Sequence, residues 1–132
     1  TLADYPPLDV LLVSGGVHTA AMKSPALLSA LREAGDSARW VTSVCTGAFL
    51  LAEAGLLSNQ RVTTHWEDIA DLRQRFPALT VQENHRWIED GNRLTSAGIS
   101  AGIDMSLHLV EKLHSRELAQ KTARQMDYSW QR

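Results

Sequence analysis

Short apolar runs alternate with amphipathic segments over the first two thirds of the chain. The apolar runs predict strands over residues 9–13, 39–44, 61–65 and 79–82. The segments between them place apolar side chains at helical spacing and predict helices over residues 24–35, 47–55 and 68–76. Strands that alternate with helices in this order predict an α/β fold built on a parallel sheet.

The last third of the chain carries a different pattern. Residues 86–88 and 93–95 flank the turn sequence DGN at 90–92, which predicts a β-hairpin. Two helical stripes of apolar residues follow, over residues 103–114 and 117–130. The last third of the chain therefore predicts a hairpin followed by two helices.

The most promising chemistry centres on Cys45, the only cysteine, which stands between a predicted strand and a predicted helix. A thiol at this corner lies beside the N–H groups and the positive dipole end of the helix, which favour the thiolate. The Thr46 N–H is placed to donate to an oxyanion, as in a nucleophile elbow, and Gly47 allows close approach of another backbone or of a substrate. The alternative is that Cys45 is a small apolar core residue, and the spacing leaves both interpretations open.

Two further features stand at the carboxyl ends of predicted strands. Gly15 and Gly16 follow the strand 9–13, where bare backbone N–H groups can meet a ligand, although two glycines also suit an ordinary tight turn. His65 ends another strand, and in one parallel sheet that end lies at the same edge as Cys45. A Cys–His pair is therefore geometrically possible, and the alternative is that His65 caps the helix that follows.

Composition narrows the class of protein. The 132 residues are 44% hydrophobic and 21% charged with a formal net charge of −2, which fits one globular domain over residues 1–132. Because Lys and Arg are scattered, we expect no nucleic-acid surface, and no apolar run reaches membrane-spanning length. A single cysteine excludes an internal disulfide and suits a reducing, cytoplasmic setting. No GxGxxG, Walker or zinc-type pattern occurs, and we expect no cofactor and no metal.

The remaining polar and aromatic candidates have bland interpretations. A carboxylate near the end of a strand or helix is usually solvated or capping, which is how we interpret Asp9, Glu83 and Asp104. The other histidines lack metal-ligand spacing and are interpreted as structural, namely His18, His85, His108 and His114. The tryptophans lie in separate segments and are interpreted as core or interface residues, namely Trp40, Trp66, Trp87 and Trp130.

Five motifs, spread over nearly the whole chain, carry a family resemblance. They are VLLVSGG at 10–16, SVCTGA at 43–48, VTTHW at 62–66, DGN at 90–92 and TSAGISAGID at 95–104. Together they resemble the ThiJ/PfpI superfamily, which is close to the class I glutamine amidotransferases. The resemblance implies a flavodoxin-like sandwich with a mostly parallel central sheet flanked by helices.

The resemblance also implies a site. Cys45 would be the nucleophile, the amides of Gly16 and Thr46 would form the oxyanion hole, and Gly15, His65 and the Thr46 hydroxyl would line the pocket. The protease and glyoxalase branches usually place His directly after this Cys, so Thr46 departs from a Cys–His dyad. Cys followed by Thr-Gly is similar to the isocyanide hydratase branch and to sensor domains of some AraC-type regulators.

Three functions follow from the resemblance as expectations. The first is a cofactor-free lyase or hydrolase that acts on a small molecule, with hydration of an isocyanide to an N-substituted formamide in the lead. The second is a small-molecule-sensing domain of an AraC-type regulator. The third is a redox or carbonyl-stress protein that uses an oxidisable cysteine. The family further implies a homodimer, with no nucleic acid bound by this domain.

The family begins with a further strand and helix that carry an acidic residue beside the nucleophile. Asp9 begins the strand 9–13 that leads to Gly15 and Gly16, so it cannot take the place of that acid. We expect residues 1–132 to lack the N-terminal βα segment.

Overall fold

The computed structural model describes residues 6–16 and 19–131, so His18 lies outside the described residues. Its strands are β1 (Val10–Val13), β2 (Trp40–Val44), β3 (Arg61–Val62), β4 (Thr80–Val81), β5 (Trp87–Asp90) and β6 (Arg93–Ser96). Its helices are α1 (Thr19–Met22), α2 (Pro25–Ser37), α3 (Gly47–Glu53), α4 (Ile69–Arg75), α5 (Ile99–Leu113) and α6 (Arg116–Gln125). Within these ranges, no helix is long and apolar enough to cross a membrane.

The main sheet has four strands in the order β1-β2-β6-β5. Strands β1, β2 and β6 are parallel, whereas β5 pairs antiparallel with β6 in the predicted hairpin. Helices pack against this sheet, which confirms the predicted α/β architecture. Because the carboxyl ends of the parallel strands share one edge, the loops after β1, β2 and β6 meet there.

The expectation that His65 ends a strand of the same sheet as Cys45 is wrong. Strands β3 and β4 form a separate parallel pair. The reason lies in the bonds of the backbone after residue 60: the Arg61 N–H donates to Asp90 Oδ2 at 2.8 Å, and the Thr63 N–H donates to Thr95 Oγ1 at 2.9 Å. Side chains of the hairpin take the donors that a strand ladder would otherwise use.

Helix α3 lies in the centre of the main hydrophobic core. All its residues from Gly47 to Ala52 are buried, and Phe49 and Leu51 are fully so. Neighbouring elements supply other fully or nearly fully buried side chains, including Val41, Leu56, Val62 and Leu72. Because this core surrounds α3, the position of the residues just before the helix is fixed by packing.

The predicted start of α2 is confirmed, and its predicted end is two residues too early. Ser24 Oγ accepts a hydrogen bond from the Leu27 N–H at 3.3 Å, so Ser24 is the N-cap and Pro25 the first helical residue. Gly35 lies inside the helix because its face packs on Leu56, where an added Cβ would be 2.5 Å from Leu56 Cδ1. Gly55 does end α3, with a φ of +83°.

The two C-terminal helices differ from their predicted bounds. Helix α5 begins at Ile99, four residues before the predicted start at residue 103. Gly102 therefore lies inside its first turns, where it packs against Val44. Helix α6 ends at Gln125, and residues 126–131 turn back toward the start of α5. In this C-terminal tail the Tyr128 hydroxyl donates to the Ser100 carbonyl at 3.1 Å, and Trp130 Nε1 donates to the Asp104 carbonyl at 3.2 Å.

Candidate active site

Cys45 occupies a strained position between β2 and α3. Its φ is +56°, a left-handed conformation that is unfavourable for residues with a Cβ. The Cys45 N–H is shared between the carbonyls of Ser96 at 3.1 Å and Ala97 at 3.2 Å. The Cys45 carbonyl accepts the Thr64 hydroxyl at 2.7 Å. These bonds hold the strand-to-helix corner in the geometry that a nucleophile elbow requires.

The exposure of Cys45 bears on the two sequence interpretations. Its thiol is not bonded to another cysteine and the residue is half-buried, while residues 47–52 of the helix that follows are buried. A half-buried thiol at the rim of the core is reachable by a small molecule, which favours the nucleophile over the inert core residue. The catalytic role of Cys45 stays a prediction.

Two glycines let the end of β1 approach the elbow. An added Cβ on Gly47 would lie 2.2 Å from the Val13 carbonyl oxygen, so only glycine fits there. An added Cβ on Gly15 would lie 2.9 Å from Cys45 Cβ and 3.0 Å from the Thr46 nitrogen. Gly15 therefore lies directly against the predicted nucleophile.

Gly16 and Thr46, the two predicted oxyanion donors, are neighbours in the structure. The Gly16 N–H donates to Thr46 Oγ1 at 3.1 Å, and the same hydroxyl donates to the Gly16 carbonyl at 3.1 Å. The Gly16 amide can therefore bind an oxyanion only after the Thr46 hydroxyl gives way as its acceptor. The oxyanion hole stays a prediction, and this exchange is the rearrangement that it requires.

His65 has the capping role that the sequence left as an alternative. Its Nδ1 accepts the Glu67 N–H at 3.3 Å at the start of the 3₁₀ turn Trp66–Asp68. In the neutral ring this bond assigns the proton to Nε2. The ring edge packs on Gly98, where an added Cβ would be 2.7 Å from His65 Cδ2. The sequence left a Cys–His pair only as a geometric possibility, and the contacts described here for His65 are those of its capping role.

A cavity of about 620 Å³ opens beside the elbow, within the size range of small-molecule sites. Gly15, Gly16 and Cys45 are not part of its described lining, but Thr64 and Ala97 are, and both bond to the Cys45 backbone. Its wall is formed by three short segments and the start of α5, namely residues 63–66, Ile69, residues 83–86 and residues 97–101.

Trp66 borders this cavity and is 77% exposed, so it is not a core residue. Of the two roles expected for the tryptophans, only that of an interface residue is open to Trp66. The indole lies at the mouth of the cavity because the 3₁₀ turn directs it outward from His65, which is the N-cap residue of that turn. Ile99, which is 84% exposed, borders the same cavity. The mouth is thus apolar, while His65 and Arg86 make the wall polar.

The sequence missed the role of Asp104, which is neither solvated nor capping. It is completely buried and accepts Arg86 Nε at 2.7 Å, Arg86 Nη2, and the Gln131 N–H at 2.8 Å. The hydrogen bond with Asp104 raises the pKa of Arg86 above its usual value. Since Arg86 also lines the cavity, Asp104 links the cavity wall to the C-terminal tail. The sequence did carry a signal for this role, since Asp104 is an acidic residue within the apolar stripe of a predicted helix.

Other titratable groups have structural partners. The His108 ring stacks on Trp87 with centroids 4.1 Å apart, and its Nε2 lies 2.7 Å from Glu89 Oε1. This contact joins α5 to β5, as expected of a structural histidine. Across the part of the chain that the structure describes, no group of three or more His, Cys, Asp or Glu is arranged to hold a metal ion.

Comparisons with known proteins place this chain in a family. The pattern of the DJ-1/PfpI family matches residues 3–112. The chain is 41% identical over 130 residues to the isonitrile hydratase of Pseudomonas putida, covering 98% of this chain and 56% of that relative. A solved ThiJ/PfpI family protein from Pseudomonas syringae superposes with a TM-score of 0.87 and 31% identity, covering 99% of this chain and 54% of that one. The chain belongs to the DJ-1/PfpI family.

The family contains regulators as well as enzymes. The chain is 38% identical over 117 residues to the HTH-type transcriptional regulator CdhR of Pseudomonas aeruginosa, covering 89% of this chain and 34% of the regulator. It thus spans about half the length of the hydratase and about a third of the regulator. The predicted superfamily and its flavodoxin-like fold are confirmed.

Proposed function

We propose that this domain is a cofactor-free enzyme in which Cys45 is the nucleophile and an isocyanide is the substrate. The observation that carries the proposal is the elbow, where a half-buried thiol stands at a left-handed corner beside a small-molecule cavity. The 41% identity to an isonitrile hydratase supports the choice of substrate class.

The proposed reaction adds one water to the substrate. The Cys45 thiolate attacks the terminal carbon of R–NC, a C–S bond forms, and that carbon takes a proton from solvent to give a thioimidate, R–N=CH–S–enzyme. Water then adds across the C=N bond to give R–NH–CH(OH)–S–enzyme. As the C–S bond breaks, the hydroxyl proton returns to solvent, and the thiolate and R–NH–CHO are released. The N–H of Thr46 and, after the Thr46 hydroxyl moves, that of Gly16 stabilise the charge that develops.

Hydration of benzyl isocyanide tests the proposal. We expect wild-type protein to produce N-benzylformamide, followed by the formyl proton in NMR, and Cys45→Ser to lose about 10³-fold or more of the rate. Ser58→Ala, a change in an exposed turn, should keep the wild-type rate and serves as the control. A Cys45→Ser protein that hydrates the isocyanide at the wild-type rate would contradict the mechanism.

A second candidate is a sensor domain, favoured by the link from Arg86 through Asp104 to the C-terminal tail and by the similarity to a regulator. A sensor binds its ligand without turning it over. Calorimetric titration with benzyl isocyanide that shows saturable binding and no formamide would favour the sensor over the enzyme. The homodimer and the cytoplasmic location stay predictions.

A further inference from the structure

One contact at the elbow involves a residue that lies outside the predicted site. The Thr64 hydroxyl donates to the Cys45 carbonyl at 2.7 Å across a separation of 19 residues. Thr64 is only 1% exposed, and it stands after β3, in the segment that also carries His65. A buried, short hydrogen bond between two different elements fixes their relative position.

The bond acts on a strained residue. A φ of +56° at Cys45 persists only where surrounding contacts enforce it. The Cys45 N–H is held by the carbonyls of Ser96 and Ala97, and the Cys45 carbonyl is held by Thr64. Among the described residues, the Thr64 hydroxyl is therefore the side-chain donor that holds the Cys45 carbonyl. Because Thr64 lines the cavity, it holds the corner from that side.

The same bond orients the peptide that joins Cys45 to Thr46. A peptide unit is planar and trans, so its C=O and N–H point in opposite directions. When the Thr64 hydroxyl holds the Cys45 carbonyl, the direction of the Thr46 N–H is set on the other side of the plane. A hydrogen bond to the carbonyl also polarises the peptide and makes its N–H a stronger donor.

We propose that Thr64 is a positioning residue, which holds the Cys45 thiol and the Thr46 N–H in the geometry of the elbow. The inference rests on the proposed function in that Cys45 is the nucleophile and Thr46 N–H an oxyanion donor. Thr64 itself touches neither reacting atom and acts through the Cys45 carbonyl.

Thr42 provides a matched control. It is equally buried, and its hydroxyl donates to a backbone carbonyl as well, that of Leu11 at 3.1 Å. This bond joins β2 to β1, and Thr42 is not part of the described lining of the cavity. Thr42→Val and Thr64→Val therefore remove the same group from the same kind of site, while only the second removes a bond to Cys45.

The test is the rate at which iodoacetamide alkylates Cys45 in the folded protein, with the Thr46 amide resonance in a ¹H–¹⁵N spectrum as second readout. Loss of one buried hydrogen bond predicts that Thr64→Val reacts about tenfold more slowly and shifts that resonance. Thr42→Val should keep the wild-type rate and resonance. Thr64→Ser, which retains the hydroxyl, should restore both.

Three results would overturn the proposal. The first is that Thr64→Val has the wild-type alkylation rate and the wild-type Thr46 resonance. The second is that Thr42→Val slows alkylation as much as Thr64→Val. The third is that Thr64→Ser restores neither readout. If Thr64→Val does not fold, Thr64→Ser alone decides. A wild-type alkylation rate and Thr46 resonance in Thr64→Ser would support the proposal, and a change in either would contradict it. Alkylation needs no turnover, so a protein that hydrates no isocyanide would end the proposed function and leave this comparison intact.

Discussion

The elbow around Cys45 and the cluster around Asp104 both adjoin the cavity, but different forces hold them. At the elbow, backbone meets backbone: Gly47 leaves 2.2 Å between an added Cβ and the Val13 carbonyl oxygen, so no side chain fits. At the cluster, a buried carboxylate gathers a guanidinium and the N–H of Gln131. The first region is fixed by close steric contact, which we call space, and the second by electrostatic attraction, which we call charge.

The difference teaches where each region tolerates change. A site fixed by space fails when one methyl group is added, whatever its polarity. A site fixed by charge tolerates changes of shape but depends on keeping its ions in pairs. Substitutions that add volume at the elbow or remove one charge from the cluster therefore test whether the comparison holds.

The largest effect is expected at Gly47. Because Gly47 lies in the first turn of α3, intrinsic propensity alone predicts that Gly47→Ala stabilises the helix by up to about 1 kcal/mol. The contact with the Val13 carbonyl predicts the opposite, a loss of about 4 kcal/mol in the free energy of unfolding, measured by urea titration. Gly91→Ala is the control, since nothing lies within 4 Å of an added Cβ there and only its φ of +61° is unfavourable. That change should cost about 1 kcal/mol, and equal losses at both glycines would show that space does not fix the elbow.

The next effect is an asymmetry between the partners of the buried pair. Arg86→Gln leaves the completely buried Asp104 carboxylate without its cation, and we expect a loss of about 3 kcal/mol. Asp104→Asn leaves Arg86, whose side chain is 45% exposed and can be hydrated, and we expect a loss of about 1 kcal/mol. Urea titration of both variants checks the order. A larger loss for Asp104→Asn would mean that charge is not the main force in this cluster.

The smallest effect concerns Tyr128, which ties the C-terminal tail to the same cluster. Burial raises the pKa of Tyr128, and the nearby Asp104 carboxylate raises it further. Because the folded-state pKa is the higher one, the stabilisation is present below about pH 10, the usual value for tyrosine, and is lost as pH rises through the folded pKa. The free energy of unfolding should therefore fall more steeply above about pH 10 in wild type than in Tyr128→Phe. Parallel pH profiles would show that the tail does not share the electrostatics of the cluster.

Much of the elbow could be predicted from the sequence because its determinants are local. A β-branched strand, a cysteine, and a glycine before helix-forming residues are contiguous, and they specify a strand, a corner and a helix. The same holds for Ser24 and Pro25 at the start of α2 and for Gly55 at the end of α3. In each case the residue type is required by the backbone at that position.

Other features depend on partners far along the chain and could not be predicted. The pairing of Asp104 with Arg86 and Gln131 joins three segments that no local pattern connects. The end of α6 at Gln125 depends on a tail that bonds to α5, although the apolar stripe runs on to Trp130. The separation of β3 from the main sheet depends on side chains of the hairpin.

The left-handed φ of Cys45 places stability and reactivity in opposition at one residue. Glycine is the residue type that adopts φ +56° without penalty, so a glycine at position 45 would relax the corner. It would also remove the thiol that we predict to be the nucleophile. Selection for stability alone would therefore move this position away from cysteine, and the proposed function is what would oppose that change.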